Sequence, residues 1–411
     1  MTPDRNGNKD FPFIEGLRGC AALQVIALHY CCFFLPVLGR VDGPLHFSWE
    51  TTTTKSPIFF LLDGYSAVYL FFLMSGFVLA RSFLEPRFGV PATIIKRFLR
   101  LFLPIVAAVG LAIVLTTLVP SARLAAETLS GSAWAAGLYH NPLSVAGILK
   151  DVFLSSLVLG YQDGSVLAHW SALFDWRSPA SDSFVPPLWT LHLEFWGSML
   201  VLALAQAYRR LPRWLFVAML AGLIGSLRLD RYGMFPIGFC AYLIHDRLLR
   251  LHVERSTLVG LVLVLLAACI APMGDGKGQT GLAAILLFAA TMLSPPLRRW
   301  LASPWARRLG RLSFSIYLLH FPILFTAGAA IFVASAPLGY LPACFLSLAV
   351  GTLLTFGLAE LFERIVDRRA ITAAGMLAAF LTNRFSTTKG RRGGHDRVRP
   401  LRSVSPPDFP G

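Results

Sequence analysis

Residues 14–30 read Ile14-Glu15-Gly16-Leu17-Arg18-Gly19-Cys20-Ala21-Ala22-Leu23-Gln24-Val25-Ile26-Ala27-Leu28-His29-Tyr30. The run is apolar enough to enter a bilayer, yet it keeps an arginine and a histidine inside. Ionisable groups are expensive there, so those retained generally serve a function. Eleven residues separate Arg18 from His29. At about 100° per residue this is three turns plus roughly 20°, which puts both side chains on one helix face about 16 Å apart. An arginine near one membrane surface and a histidine deeper on the same face suggest a site reached from that surface. The structural alternative is a snorkelling arginine and a packed histidine.

The rest of the chain fits a membrane setting. Mean hydropathy is +0.62 and only 14% of the 411 residues are charged, against about 25% in a soluble protein. Ten strong apolar spans are predicted: 14–38, 58–80, 98–119, 187–208, 213–228, 232–247, 256–272, 279–296, 313–334 and 340–362. The fold class is therefore an all-α polytopic bundle of about ten transmembrane helices. No cleavable signal peptide is expected. The six cysteines show no Cys-x-x-Cys spacing, so reduced buried thiols are expected, with neither a disulfide frame nor a metal site.

The net charge of +15 would suit nucleic acid, but the distribution of the charges argues for topology. With the N-terminus inside, 29 of the 37 Lys and Arg residues fall on cytoplasmic segments and eight on outer ones, as the positive-inside rule requires. An eleventh apolar stretch, 144–160, holds Lys150 and Asp151. Counting it as a span would move the later arginine-rich loops outside. It is read instead as a re-entrant or surface helix within a long outer region, 120–186, and both termini are placed in the cytoplasm.

The outer region carries Trp134, Tyr139, His140, Tyr161, Asp163, His169, Trp170, Asp175, Trp176 and Asp182. Aromatic and acidic side chains suit a carbohydrate or another polar acceptor; an interfacial aromatic belt is the alternative. Residues 1–381 are read as the membrane domain. Residues 382–411, rich in Arg, Gly and Pro, are read as a disordered basic tail drawn to anionic lipid.

Four more polar constellations interrupt the spans. Phe71-Phe72-Leu73-Met74-Ser75-Gly76-Phe77 has a small Ser-Gly step that lets a helix or ligand approach. Lys96-Arg97-Phe98-Leu99-Arg100 puts two arginine forks on one face at the cytoplasmic mouth, suited to phosphate. Leu188-Trp189-Thr190-Leu191-His192-Leu193-Glu194 places Glu194 about 10 Å inside the outer surface, and His29 lies about 14 Å inside it. The two are expected at one depth as an acid/base pair or a salt bridge. Ser315-Ile316-Tyr317-Leu318-Leu319-His320-Phe321-Pro322 puts Tyr317 and His320 on one face, nearer the cytoplasm, as tunnel lining or packing.

In this order the motifs resemble the type-3 membrane acyltransferase family: Glu15-Gly16-Leu17-Arg18-Gly19 with His29, the Phe-Phe-x-x-Ser-Gly-Phe step, Arg97-x-x-Arg100 before Pro104, Leu-Trp-Thr-Leu-x-x-Glu, the Tyr317-to-Pro322 run, and Glu363-Arg364. Departures are small: Glu15 stands where aspartate is common and Thr190 where serine is common. The resemblance implies an O-acyltransferase, mostly an O-acetyltransferase, of the bacterial inner membrane. The donor would be acetyl-coenzyme A or another acyl-coenzyme A, with no bound cofactor. The acceptor stays open among lipopolysaccharide, exopolysaccharide, a lipid-linked oligosaccharide, peptidoglycan and a small secreted metabolite, glycans being the family's usual acceptors. His29 would be general base or acyl carrier, Glu194 its partner, and Arg18 a third catalytic candidate. Arg97 and Arg100 would hold the donor phosphates, while Ser75, Tyr317 and His320 line its tunnel. The rival reading is a proton-coupled transporter or exporter using Arg18, His29 and Glu194 as a path; no paired halves with matching broken helices are found in the sequence.

Overall fold

The computed structural model describes residues 11–139, 143–162, 179–250, 256–273 and 277–392, and these contain helices and no strand. Every predicted apolar span is helical. Six helical runs are long and apolar enough to cross a membrane: Pro12–Phe34 (α1), Gly64–Leu84 (α2), Val90–Leu118 (α3), Pro186–Arg210, Pro304–Leu338 and Tyr340–Thr382. A bent pair, Gly278–Leu293 and Pro295–Leu301, turning by 97° at its break, makes a seventh. The apolar helices Arg213–Leu227, Met234–Leu243 and Ser256–Ile270 are shorter. Between α3 and Trp189–Arg210 lie Pro120–Ser130 (α4) and Val145–Leu149 (α5), the latter continuing as a π-helix through Lys150–Leu159. We label Trp189–Arg210 α6, Met234–Leu243 α7, Pro304–Ile323 α8, Tyr340–Phe362 α9 and Arg368–Arg392 α10. Helix α10 runs past the boundary expected at 382, and residues 393–411 lie outside the described set.

Lipid tails are as apolar as leucine, so helices in a membrane associate through close packing of small residues. The α1–α8 contact is built this way. A methyl group on Gly16 would strike the Leu301 carbonyl just ahead of α8 and crowd Ala306 within it, one on Gly19 would meet the backbone of Gly310, and one on Gly310 would strike the Glu15 carbonyl. These glycines let α1 and α8 run side by side in parallel from the Gly19/Gly310 level to His29 and His320. Gly76 serves α2 likewise: it sits against the Phe235 carbonyl of α7, and Gly238 of α7 sits against the Leu73 carbonyl. Two large apolar clusters make up most of the core, beside a small third one of Cys31, Leu35 and Leu38. One joins α1, α3, α8 and the outer region; the other joins α1, α2, α6 and α7.

The outer region is pinned onto this frame. Helix α4 ends at Gly131, whose φ of +64° is natural for glycine. Ser132 then caps the short helix Ala133–Ala136 and donates its hydroxyl to the Cys32 carbonyl at 2.7 Å. The 145–159 helix packs against α3 and α6. Trp196, two turns into α6, donates to the Val158 carbonyl at 2.9 Å, and His192 Nδ1 lies 3.0 Å from the Leu157 carbonyl. At the other end, buried Asp151 accepts from the Tyr161 hydroxyl (2.5 Å), the Ser183 hydroxyl (3.0 Å) and the Phe184 amide (3.1 Å). A buried carboxylate satisfied by three donors is stable where an unpaired one would not be.

Topology is open to direct test with this geometry. In a variant lacking the six native cysteines, a cysteine at exposed Ser121 should react with an impermeant thiol reagent in intact cells. One at exposed Thr372 should react only after lysis. Labelling of Thr372→Cys from outside would overturn the arrangement.

Candidate active site

The seam between the two apolar clusters is polar. A cavity of about 90 Å³ lies there, lined by Arg18 of α1, Ser75 of α2, Arg97 and Arg100 of α3, Thr190 and Glu194 of α6, and Ser313 and Tyr317 of α8. Glu194 Oε1 pairs with the Arg97 guanidinium and accepts from the Ser75 hydroxyl at 2.8 Å. Both charged side chains are largely buried, at 12% and 15% exposure, so each depends on the other. The charged groups lining the chamber are three arginines and one carboxylate, Glu194, so it is net positive.

Arg97 and Arg100 also line a second space of about 330 Å³. It opens among the α2–α3 connection and is bordered by Arg81, Arg87 and Lys96, with Glu85 the one acid in its wall. Lys96 Nζ sits 4.9 Å above the Phe88 ring. In the opposite direction, Val68 and Tyr317 separate the arginine chamber from a third cavity of about 500 Å³, which both residues also line. Tyr317 is held by Thr190 Oγ1 at 2.7 Å and donates to the Pro187 carbonyl at 3.0 Å.

His29 faces this third cavity, together with Arg40, Asp63, Tyr65, Tyr69, Trp134, Trp189 and Arg231. His29 Nδ1 lies 2.8 Å from His320 Nε2, and His320 Nδ1 lies 3.1 Å from the Ile316 carbonyl. A carbonyl only accepts, so His320 Nδ1 must carry the proton. In neutral rings, His320 Nε2 then accepts from His29 Nδ1–H. That relay leaves the lone pair on His29 Nε2, the tautomer a general base needs. The Trp134 ring lies parallel to that of His29, with centroids 5.8 Å apart and planes 11° apart. His29 is thus clasped between α8 and the outer region.

The structure brings Arg18, Ser75, Arg97, Arg100, Glu194 and Tyr317 to one chamber. Three placements differ from the sequence reading. Glu194 does not meet His29. Helix α6 starts at a buried turn, Pro186–Leu188, which touches Tyr317 partway along α8. Glu194 therefore lies in the arginine chamber, on the other side of Tyr317 from His29. His320 is not in the arginine chamber but is the partner of His29. Hydropathy starts the ninth span at 313 whereas α8 starts at Pro304, and the parallel α1–α8 contact carries His320 to the level of His29. Tyr139 and Asp182 line a separate cavity, and His140, Asp163, His169, Trp170, Asp175 and Trp176 lie outside the described residues. The role of Trp134 beside His29 had no signal in spacing, because its helix is pinned by a distant hydrogen bond.

Fold and site together define a helical membrane protein with an arginine-lined chamber next to a cavity that holds one member of a histidine pair. The chain belongs to the type-3 acyltransferase family: the family model, an acyltransferase domain, matches residues 11–356. It is thus a membrane acyltransferase, and the match takes in the chamber and the histidine pair alike. Among curated proteins and among solved structures nothing matches.

The Arg97–Glu194 pair gives a test of how the chamber is held. Breaking a buried pair costs about 3–5 kcal/mol, whereas replacing both charges with apolar groups is often neutral. Glu194→Ala should therefore lower the thermal unfolding temperature in detergent more than Glu194→Ala combined with Arg97→Met. Equal losses would mean that the pair is solvated and contributes little.

Proposed function

We propose that this protein transfers an acyl group, most simply acetyl, from cytoplasmic acyl-coenzyme A to a hydroxyl of a glycan or glycolipid at the outer side of the bacterial inner membrane. Ten helices cross in this reading, counting the shorter apolar ones, and both termini lie in the cytoplasm. The division of 29 inner to eight outer Lys and Arg residues supports that orientation.

The observation that carries the proposal is the order of the three spaces. The basic groove shares Arg97 and Arg100 with the arginine chamber, and that chamber shares Val68 and Tyr317 with the cavity at His29. A donor with phosphates at one end and a thioester at the end of a long thin arm fits such a sequence. The phosphates meet the forked arginines and Lys96, where charge-assisted hydrogen bonds are strongest. The arm passes Arg18, Ser75 and Tyr317. The thioester arrives at the far end, beside His29. Glu194 acts here as a positioning residue that fixes Arg97.

The acceptor approaches through the outer cavity. His29 Nε2 takes the proton of its hydroxyl as the oxygen attacks the thioester carbonyl. The tetrahedral adduct collapses with cleavage of the carbon–sulfur bond, and the imidazolium returns the proton to the departing thiolate. His320 holds the tautomer by accepting from His29 Nδ1 throughout. The cost of a charged imidazolium at this depth is reduced because that hydrogen bond becomes charge-assisted.

Purified protein in nanodiscs, supplied with acetyl-coenzyme A and followed by thiol release, tests this. General-base catalysis is worth about 10²–10⁴-fold, so His29→Ala should lose at least about 100-fold. His320→Gln, which keeps an acceptor for Nδ1–H, should retain more activity than His320→Leu. Near-wild-type turnover in His29→Ala, with normal membrane insertion, would remove the histidine pair from the mechanism.

A further inference from the structure

The basic groove at the α2–α3 connection holds more positive charge than the protein itself matches. Arg81, Arg87, Lys96, Arg97 and Arg100 border it against one acid, Glu85. Arg97 is paired with Glu194. Arg87, Lys96 and Arg100 make no hydrogen bond or ion pair among the described residues. Like charges gathered in one cleft concentrate an anionic ligand there. The space, about 330 Å³, is large enough for a small-molecule site. Lys96 is held without spending its donors. Its Nζ sits 4.9 Å over the Phe88 ring, a contact that leaves all three ammonium N–H groups available. The Thr93 hydroxyl donates to the Gly89 carbonyl at 3.0 Å and to the Phe88 carbonyl at 3.4 Å. The connection that carries Arg87 and Phe88 is thereby tied to the first turn of α3.

Position separates these three cations. Arg100 also lines the arginine chamber, whereas Arg87 and Lys96 line the groove alone. In coenzyme A a diphosphate joins the pantetheine arm to the nucleotide, and a phosphate monoester sits on the ribose beyond it. With the arm in the chamber, the diphosphate falls at Arg100. The monoester then falls further out, between Arg87 and Lys96. A phosphate monoester carries nearly two negative charges near neutral pH and three strong acceptor oxygens, which suits two cations with unspent donors. We infer that Lys96 and Arg87 are specificity-determining residues of the donor site that bind the ribose 3′-phosphate of coenzyme A. Selection of the donor is thus made at the nucleotide end, far from His29. The inference rests on the acyltransferase reading for the identity of the donor, but binding at Lys96 and Arg87 is independent of turnover.

Coenzyme A and 3′-dephospho-coenzyme A are titrated by calorimetry into the full chain in phosphatidylcholine nanodiscs, and cleavage of their acetyl thioesters is measured separately. Loss of a hydrogen bond to a charged group costs about tenfold or more in affinity, so Lys96→Gln should weaken coenzyme A by about that factor and dephospho-coenzyme A by less than about twofold. Combined with Arg87→Gln, it should leave the two ligands nearly equal. Arg100→Gln should weaken both alike. Arg369→Gln, exposed on α10, should change neither. Equal losses of both ligands in Lys96→Gln, or discrimination kept in the double variant, would overturn the inference. So would discrimination that disappears when the nanodiscs contain phosphatidylglycerol, because the groove would then belong to lipid headgroups. His29-dependent cleavage of both acetyl thioesters with one kcat/KM would overturn it and leave the acyltransferase reading standing. Lys96-dependent discrimination with no acetyl transfer would instead uphold it and overturn that reading.

Discussion

The close parallel contact between α1 and α8 sets the rest of the site. It exists because Gly16, Gly19 and Gly310 offer no side chain where the other strand of backbone passes. Once the two helices are this near, Arg18 falls level with Ser313 on the arginine chamber and His29 falls level with His320. Tyr317 stands between those levels, so a chain of chambers follows from one register. A larger residue at any of the three glycines would push the helices apart, and the 2.8 Å histidine contact has no slack to absorb that.

Buried polar groups organise the remainder. The Arg97–Glu194 pair with Ser75 ties α3, α6 and α2 together. The Asp151–Tyr161–Ser183 cluster closes the turn after the 145–159 helix. The Ser132–Cys32 bond brings the outer region down onto α1, so that Trp134 covers His29. In a medium with no competing water these bonds carry specificity as well as stability.

Much of this is legible in the sequence. Apolar runs locate the long apolar helices, because hydropathy reports burial in lipid or protein directly, but not the polar helices Pro120–Ser130 and Arg368–Arg392. The eleven-residue spacing of Arg18 and His29 puts them on one face of α1, because a regular helix fixes azimuth, and each lines a cavity. Depth is harder to read. The starts of α6 and α8 are displaced from the hydropathic boundaries by Pro186-Pro187 and by Pro304, so Glu194 and His320 change places relative to expectation. Three apolar helices are also shorter than a full span. Hydropathy does not register where a helix dips or breaks inside the protein. Trp134 is invisible to periodicity, since it rides on a pinned loop helix, and only tertiary contact brings it beside His29.

The central claim is that the arginine mouth and the histidine pair are two ends of one route across the membrane. Inverted and right-side-out membrane vesicles containing the protein, given radiolabelled acetyl-coenzyme A on their outer surface, test it most directly. Acetyl groups should reach saccharide enclosed in inverted vesicles, where the cytoplasmic mouth faces the donor. Sealed right-side-out vesicles should incorporate none. Incorporation from right-side-out vesicles, or acetylation confined to saccharide on the same side as the donor, would contradict the account.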